Sequence, residues 1–349
     1  MMLRLLLALT AFAGVATPSQ ADPVKLGSIT AIAVGPKGTL FLGDATAGVI
    51  HAFETGDADA GKQADFQFAE VAQTLAERLE TTPDQITVND VKVNPASGKL
   101  FVAATRGKGK DAMPAVFSFD GGKFTLLELA KLKATKFALP NATEKTRSEA
   151  ITSMAFVDGK LVVAGLSNEE FASTLRVIPF PFPEKADSAS IEIYHGAHGK
   201  YETNAPVRTF APYKISGADY LLAAYTCTPL VKVPVADLKN GTKVKGTTIA
   251  ELGNRNRPLD MIVYTKGGED FVLMANNARG VMKIPAASFA AAEPISTPVR
   301  GGAGTAGVKF ETIGELKGIL QLDKYDATRA VVLMETPEKT LTLKTINLP

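Results

Sequence analysis

The chain has no tryptophan, one cysteine and three histidines among its 349 residues. A single cysteine excludes an intramolecular disulfide framework, a cysteine-rich zinc site, a cysteine-held iron–sulfur cluster and a C-x-x-C-H haem attachment. Charge of one sign is also missing. The 38 Lys and Arg residues stand against 36 Asp and Glu, a formal net charge of +2. Without a blanket of positive charge, nucleic-acid binding is excluded as the main activity. No G-x-S-x-G, H-E-x-x-H or Walker pattern occurs, so the common serine-hydrolase, metalloprotease and nucleotide readings lack support. What is present is apolar residue in quantity: 46% of the chain, which argues against disorder. A length of 349 residues exceeds what one core usually serves unless the architecture is modular or radial.

Residues 1–21 read as a cleavable export signal. Arg4 supplies the positive start, Leu5 to Val15 the apolar run, and Ser19-Gln20-Ala21 the small-x-small site before Asp22. The apolar run falls short of the roughly 20 residues that span a bilayer, and Thr17 to Gln20 interrupt its far end. No second apolar run of spanning length follows, so no membrane span is expected in the mature chain. The expected location is the periplasm or the extracellular medium. Removal of 21 residues from 349 leaves 328, residues 22–349, as a single domain.

The mature chain repeats one phrase: apolar strand, polar turn, apolar strand, turn, third strand. The second copy is the clearest. Val91-Lys92-Val93 leads through Asn94-Pro95-Ala96-Ser97-Gly98-Lys99 into Leu100-Phe101-Val102-Ala103-Ala104, then Ala115 to Phe119 and Phe124 to Leu129. The third copy turns at Asp158-Gly159 between two apolar runs, the strongest short-range hairpin signal. Six copies are legible, with a mean period of about 55 residues, close to the longer propeller repeats. The expected fold is therefore all-β, a β-propeller of six four-stranded antiparallel blades, with seven as the alternative count. The sixth copy lacks an outer strand, and Pro23 to Ser28 is the expected source of one. Phe68, Val71, Ala72, Leu75 and Leu79 form a helical stripe, which predicts an inserted helix over about 68–80 that covers a blade edge. The lysine- and threonine-containing stretch from Leu132 to Glu149 reads as a solvated crossing between units.

The phrase Asn94-Pro95-x-x-Gly98-x-Leu100-Phe101-Val102-Ala103 resembles the broad secreted propeller group that includes YncE-like and NHL-like proteins. Weaker echoes are Gly35 to Leu42 and Val157 to Ala164. The resemblance spans most of the mature chain as architecture and includes no diagnostic active site. Such propellers include lactonase-like hydrolases, quinone-cofactor dehydrogenases and binding proteins of unassigned ligand, and fold alone does not choose among them. The absence of tryptophan and of a cysteine pair departs from the quinone-dependent alcohol-dehydrogenase type. The calcium-dependent lactonase type, with Asp, Glu and Asn side chains converging on the axis, remains compatible.

Polar residues at the strand ends nearest the axis are the candidate site. Leu252-Gly253-Asn254-Arg255-Asn256-Arg257-Pro258 places two arginines just before an inner strand, Arg208 takes the matching entrance one unit earlier, and Arg279 follows a later turn. An arginine fork recognises carboxylate or phosphate bidentately. Arg208, Arg255, Arg257 and Arg279, with Asn89, Asn276 and Asn277 shaping the opening, predict a binding or scaffold protein for an acidic small molecule or partner protein. The alternative is a metal-assisted lactone or ester hydrolase, in which Asp90 and Asp260 hold a hard cation such as Ca²⁺. The remaining candidates are weaker. His195 and His198, with Glu202 beyond them, have the residue types of a zinc or copper site on a glycine-rich loop. Cys227, at the end of an apolar strand, reads as a buried thiol.

Overall fold

A computed structural model describes residues 24–61, 63–140, 147–227 and 229–349. The expected export signal lies outside the described residues. Six antiparallel sheets, each built on four strands, stand around a common axis as a six-bladed propeller. The inner strands of blades 1 to 6 are Ala31–Val34, Ile86–Val93, Ser153–Val157, Thr209–Ile215, Pro258–Lys266 and Ile319–Lys324. Each is followed by the second and third strands of its blade through short turns. Alternation along each strand sends apolar side chains to both faces, and the core lies in the slabs between neighbouring blades.

The blades do not follow one another around the ring in chain order. The inner strand of blade 1 adjoins those of blades 2 and 3, and the inner strand of blade 2 adjoins that of blade 6. Around the axis the order is 1, 3, 4, 5, 6, 2. Blade 1 is completed by Ala134–Ala138, which pairs with Val49–Glu54 after the whole of blade 2 has been laid down. Part of the stretch expected to be a solvated crossing is thus an outer strand. Thr135 and Lys136 are exposed while Phe137 is buried. The outer strand of blade 6 corrects a second expectation. It comes from Gln67–Phe68, with Phe68 opposite Leu343, and not from residues 24–28, while Pro23 lies outside the described residues. Gly27 and Ser28 instead donate backbone hydrogen bonds to the Asp44 carboxylate beside blade 1.

The expected helix forms over Val71–Arg78. Val71, Leu75 and Ala76 are buried in the cluster shared by blades 2 and 6, so its apolar stripe faces inward and covers that junction.

At least one hydrogen bond at each junction stitches the inner strands into a ring. Thr30 Oγ1 donates to Ile151 O (2.9 Å) and Thr152 Oγ1 to Val207 O (2.6 Å). Thr209 Oγ1 donates to Asp260 Oδ1 (3.5 Å) and the Leu322 amide to Asp260 Oδ2 (3.3 Å). The Val93 amide donates to Asp323 Oδ2 (2.7 Å), and the Ile32 amide to Asp90 Oδ2 (2.8 Å).

Candidate functional site

The axial channel has a wide end and a narrow end with a charged waist between them. The wide end is a cavity of 560 Å³ lined by residues of all six inner strands, including Met154, Phe156, Phe210 and Asp323. The narrow end is a cavity of 140 Å³ lined by Asn89, Thr152, Arg208, Thr209, Arg257 and Gln321, among others. Lys92 and Asp260 border both. Bulges at Asn89, Leu259 and Leu320 interrupt the pairing of three inner strands and re-aim the residues that follow.

Lys92 is the centre of the waist. Its Nζ lies 3.1 Å from Asp90 Oδ1 and 3.1 Å from Asp260 Oδ2. The place a divalent cation would take between these two carboxylates is held by the lysine ammonium. Burial favours the neutral amine, but Asp260, Asp90 and Asp323 outweigh it and keep Lys92 charged well beyond its ordinary range. Burial raises the Asp90 carboxyl, opposed by Lys92. Burial also pushes Asp323 up to about 6. Lys92 and Asp323 were not singled out in the sequence. Their signal is period-two spacing, Asp90-x-Lys92 and Gln321-x-Asp323, which sets each pair on one strand face.

The other sequence candidates divide between two places. Asn89, Arg208 and Arg257 come together at the narrow mouth. Asn89 Nδ2 donates to Ile29 O (2.6 Å) and Thr105 Oγ1 (3.0 Å). Arg208 pairs with Glu149 at 2.7 Å, and its Nε donates to Thr226 Oγ1 at 3.1 Å. Arg255 and Arg279 line a separate, open depression with Asn254. Arg279 donates to the Asn254 and Ala303 carbonyls and so pins the loop at residues 300–304. Asn276 and Asn277 belong to the turn of blade 5. Asn276 Nδ2 donates to Met274 O and Gly280 O, and Asn277 Oδ1 accepts the Arg257 amide.

A third arrangement lies between blades 3 and 4. His195 ends the outer strand Asp187–His195 of blade 3, and the chain reverses over His195 to Gly199 with the Gly199 amide on His195 O (2.8 Å). Gly199 has φ +67°, a left-handed conformation that a side chain would strain. This turn brings the two imidazoles to a centroid separation of 3.8 Å. The returning strand Lys200–Glu202 then places Glu202 beneath both rings, with Oε2 2.9 Å from His195 Nδ1 and Oε1 2.6 Å from His198 Nδ1. From blade 4, Cys227 projects at a turn after Ala218–Ala224, its backbone in the left-handed region at φ 60°. A ring nitrogen of each histidine and the Cys227 Sγ lie within 4.8 Å of one another. The thiol is half-buried and free, where the sequence led to a buried one.

His195 Nε2 and Glu251 Oε2 are buried and have no hydrogen-bond partner among the described residues. Glu251, on the outer strand of blade 4, accepts the Gly196 amide through its other oxygen, Oε1. Burial raises its carboxyl to about 7. Burial lowers the His195 imidazole, against the opposing pull of Glu202. For Glu202 burial acts upward, and the hydrogen bonds from His195 and His198 overcome it, leaving the carboxyl below its ordinary range. An ionised carboxylate that accepts from both Nδ1 atoms leaves each Nε2 with its lone pair available. Glu202 was expected among the ligands and instead orients the two rings. The contribution of Cys227, 25 residues beyond Glu202 in sequence and on another blade, had no local signal.

Among the described residues no helix is long and apolar enough to cross a membrane. No known family profile matches the chain, and no curated protein matches it. Among solved structures, the chain is similar to one from Thermus thermophilus provisionally described as an oxidoreductase (glucose dehydrogenase). The two share 12% identity over 92% of this chain and 97% of the other, with a TM-score of 0.37. A likeness at that level says nothing of chemistry.

Proposed function

We propose that the protein is a metal-dependent propeller that holds a transition-metal ion, zinc foremost, between blades 3 and 4 and acts as an ester or lactone hydrolase. The ligands are the Nε2 atoms of His195 and His198 and the Cys227 thiolate. The observation that carries this reading is the buried His195 Nε2 with no partner among the described residues, in a cluster whose Nδ1 atoms are both turned to one carboxylate. That carboxylate–histidine arrangement fixes tautomer and ring orientation and raises ligand basicity. Three protein ligands leave one position of a tetrahedral ion open, the pattern of catalytic zinc sites. A zinc ion there would polarise a carbonyl or lower the pKa of a bound water. The chain's own groups supply the rest: Glu202 orients the rings, and Glu251 offers a buried carboxyl oxygen beside the same loop. Placement within the YncE-like and NHL-like group, and export by residues 1–21, belong to the same proposal.

The test is metal binding first and hydrolysis second. Isothermal titration with Zn²⁺ should give one ion per chain, lost in His195→Ala and Cys227→Ser, and zinc should support turnover of 4-nitrophenyl acetate in the wild type only. A wild-type chain that takes up no zinc overturns the reading. An intense visible thiolate-to-copper band on titration with Cu²⁺, with no zinc-supported turnover, would replace hydrolysis by electron transfer at the same ligands.

A further inference from the structure

We infer that the narrow mouth of the axial channel is an anion site that takes the carboxylate or phosphate group of the molecule on which the neighbouring metal centre acts. The link to a substrate rests on the function proposed above; the anion site itself does not. Arg208 and Arg257 both line the 140 Å³ cavity. They lie close enough that Arg208 is among the causes that lower the Arg257 pKa, after burial. One carboxylate serves the two guanidinium groups: Glu149, at 2.7 Å from Arg208. The Arg257 guanidinium makes no ion pair or hydrogen bond among the described residues; only its backbone does, with Asn277. An exposed guanidinium with no protein partner is free to take up an oxyanion, and its fork matches that geometry.

The rest of the lining suits the same occupant. Asn89, Thr152, Thr209 and Gln321 make the lining polar but already donate to Ile29, Thr105, Val207, Asp260 and Asn89, which leaves the Arg257 guanidinium as the free donor. A volume of 140 Å³ exceeds the roughly 30 Å³ share of one water several-fold, which is room for an oxyanion group. The carboxylates at the floor do not oppose it directly. Asp90 and Asp260 are both held at 3.1 Å by Lys92, and they accept the Ile32, Val91, Met261 and Leu322 amides. The carboxylates that line the cavity are thus already engaged at the waist, Glu149 is engaged with Arg208, and Arg257 is the guanidinium left over.

Chain connectivity ties this mouth to the metal centre. Thr226, which accepts the Arg208 Nε–H, precedes Cys227 in sequence. The Cys227 amide donates to Asn256 O at 2.7 Å, and Asn256 precedes Arg257. Both arginines are therefore anchored one residue from the two ends of a single hydrogen bond made by the thiol-bearing residue. A substrate with an anionic group in the mouth would extend from the axis toward the ion.

Titration calorimetry with inorganic phosphate and, separately, malonate distinguishes the two sources of oxyanion. At constant ionic strength one of them should bind the wild type, and Arg257→Gln should weaken that binding about tenfold or more. Arg257→Lys, which keeps the charge but loses the fork, should fall between. The exposed position of Arg257 makes loss of folding in these variants an unneeded explanation, and zinc uptake by Arg257→Gln should match the wild type. Absence of binding by both anions, or equal binding by Arg257→Gln, overturns the anion site while the metal reading stands on its own titration. Loss of zinc in Cys227→Ser with phosphate or malonate binding unchanged supports the anion site by itself.

Discussion

Lys92 is a half-buried cation among three carboxylates, and its removal should be more costly than its size suggests. Lys92→Met would leave Asp90 and Asp260 facing one another without the ammonium at 3.1 Å from each. Stranding buried charge in this way costs about 3–5 kcal/mol. Urea unfolding at neutral pH should show a loss of that order, and Asp90→Asn added to Lys92→Met should restore part of it. Asp323 gives a pH-dependent counterpart. Its carboxyl sits near 6 in the folded chain against about 3.9 unfolded. The folded state thus binds this proton more tightly. The resulting stability is fully present below about pH 4 and is lost as pH rises through about 6. Asp323→Asn should flatten the fall in stability across that window, with the difference between the two chains read from urea midpoints at about pH 4 to 8. At blades 3 and 4, Glu202→Gln is expected to keep the fold and weaken zinc affinity by about 10–100-fold, since a carboxamide orients the imidazoles less firmly.

Phe68 carries the edge of blade 6 in a strand of two residues. Its ring lies 5.4 Å from Phe119 and 5.2 Å from Phe124, so the same residue ties blade 6 to blade 2. Phe68→Ala should cost about 3 kcal/mol, measured by denaturant unfolding, while Gln67→Ala should cost little. The strand phrases at Val91 to Phe119 and Ile151 to Ala164 were legible because alternation and Asx-Gly turns are local signals. The two-residue strand at Phe68 was not, because Phe68 falls on the helical stripe of Val71, Ala72, Leu75 and Leu79 and is a strand only by pairing with Leu343. Ala134–Ala138 was obscured for a related reason: an outer strand has solvent on its far side, and Lys136 there reads as loop. At the site scale, Arg208 and Arg257 were recognisable as entrance residues, whereas Arg279 looked equivalent and proved to hold a loop. The meeting of Cys227 with His195 and His198 depends on two blades packing side by side. No spacing within either segment encodes it.

The molecule as a whole interleaves its first two blades. The inner three strands of blade 1 and their outer partner are separated in sequence by the closing strand of blade 6, the helix and all of blade 2. A protease nick in the exposed stretch at Ala58 to Gly61 would therefore not release a blade. The smaller fragment would remain paired to Ala134–Ala138 of the larger. Size-exclusion chromatography of nicked protein should show one compact species, and two fragments only in denaturant. A light fragment that separates under native conditions would contradict this arrangement.

The clasp between Phe66 and Thr345 joins residues 279 positions apart. Until residues near 345 exist, the strand at Gln67–Phe68 has nothing to pair with and the slab beneath the helix lacks a wall. Final closure must therefore wait for nearly the entire polypeptide, with the entropy of a very long loop to overcome. If the chain is exported as proposed, that delay would be useful: a ring that cannot shut early stays pliable enough to pass through a membrane channel.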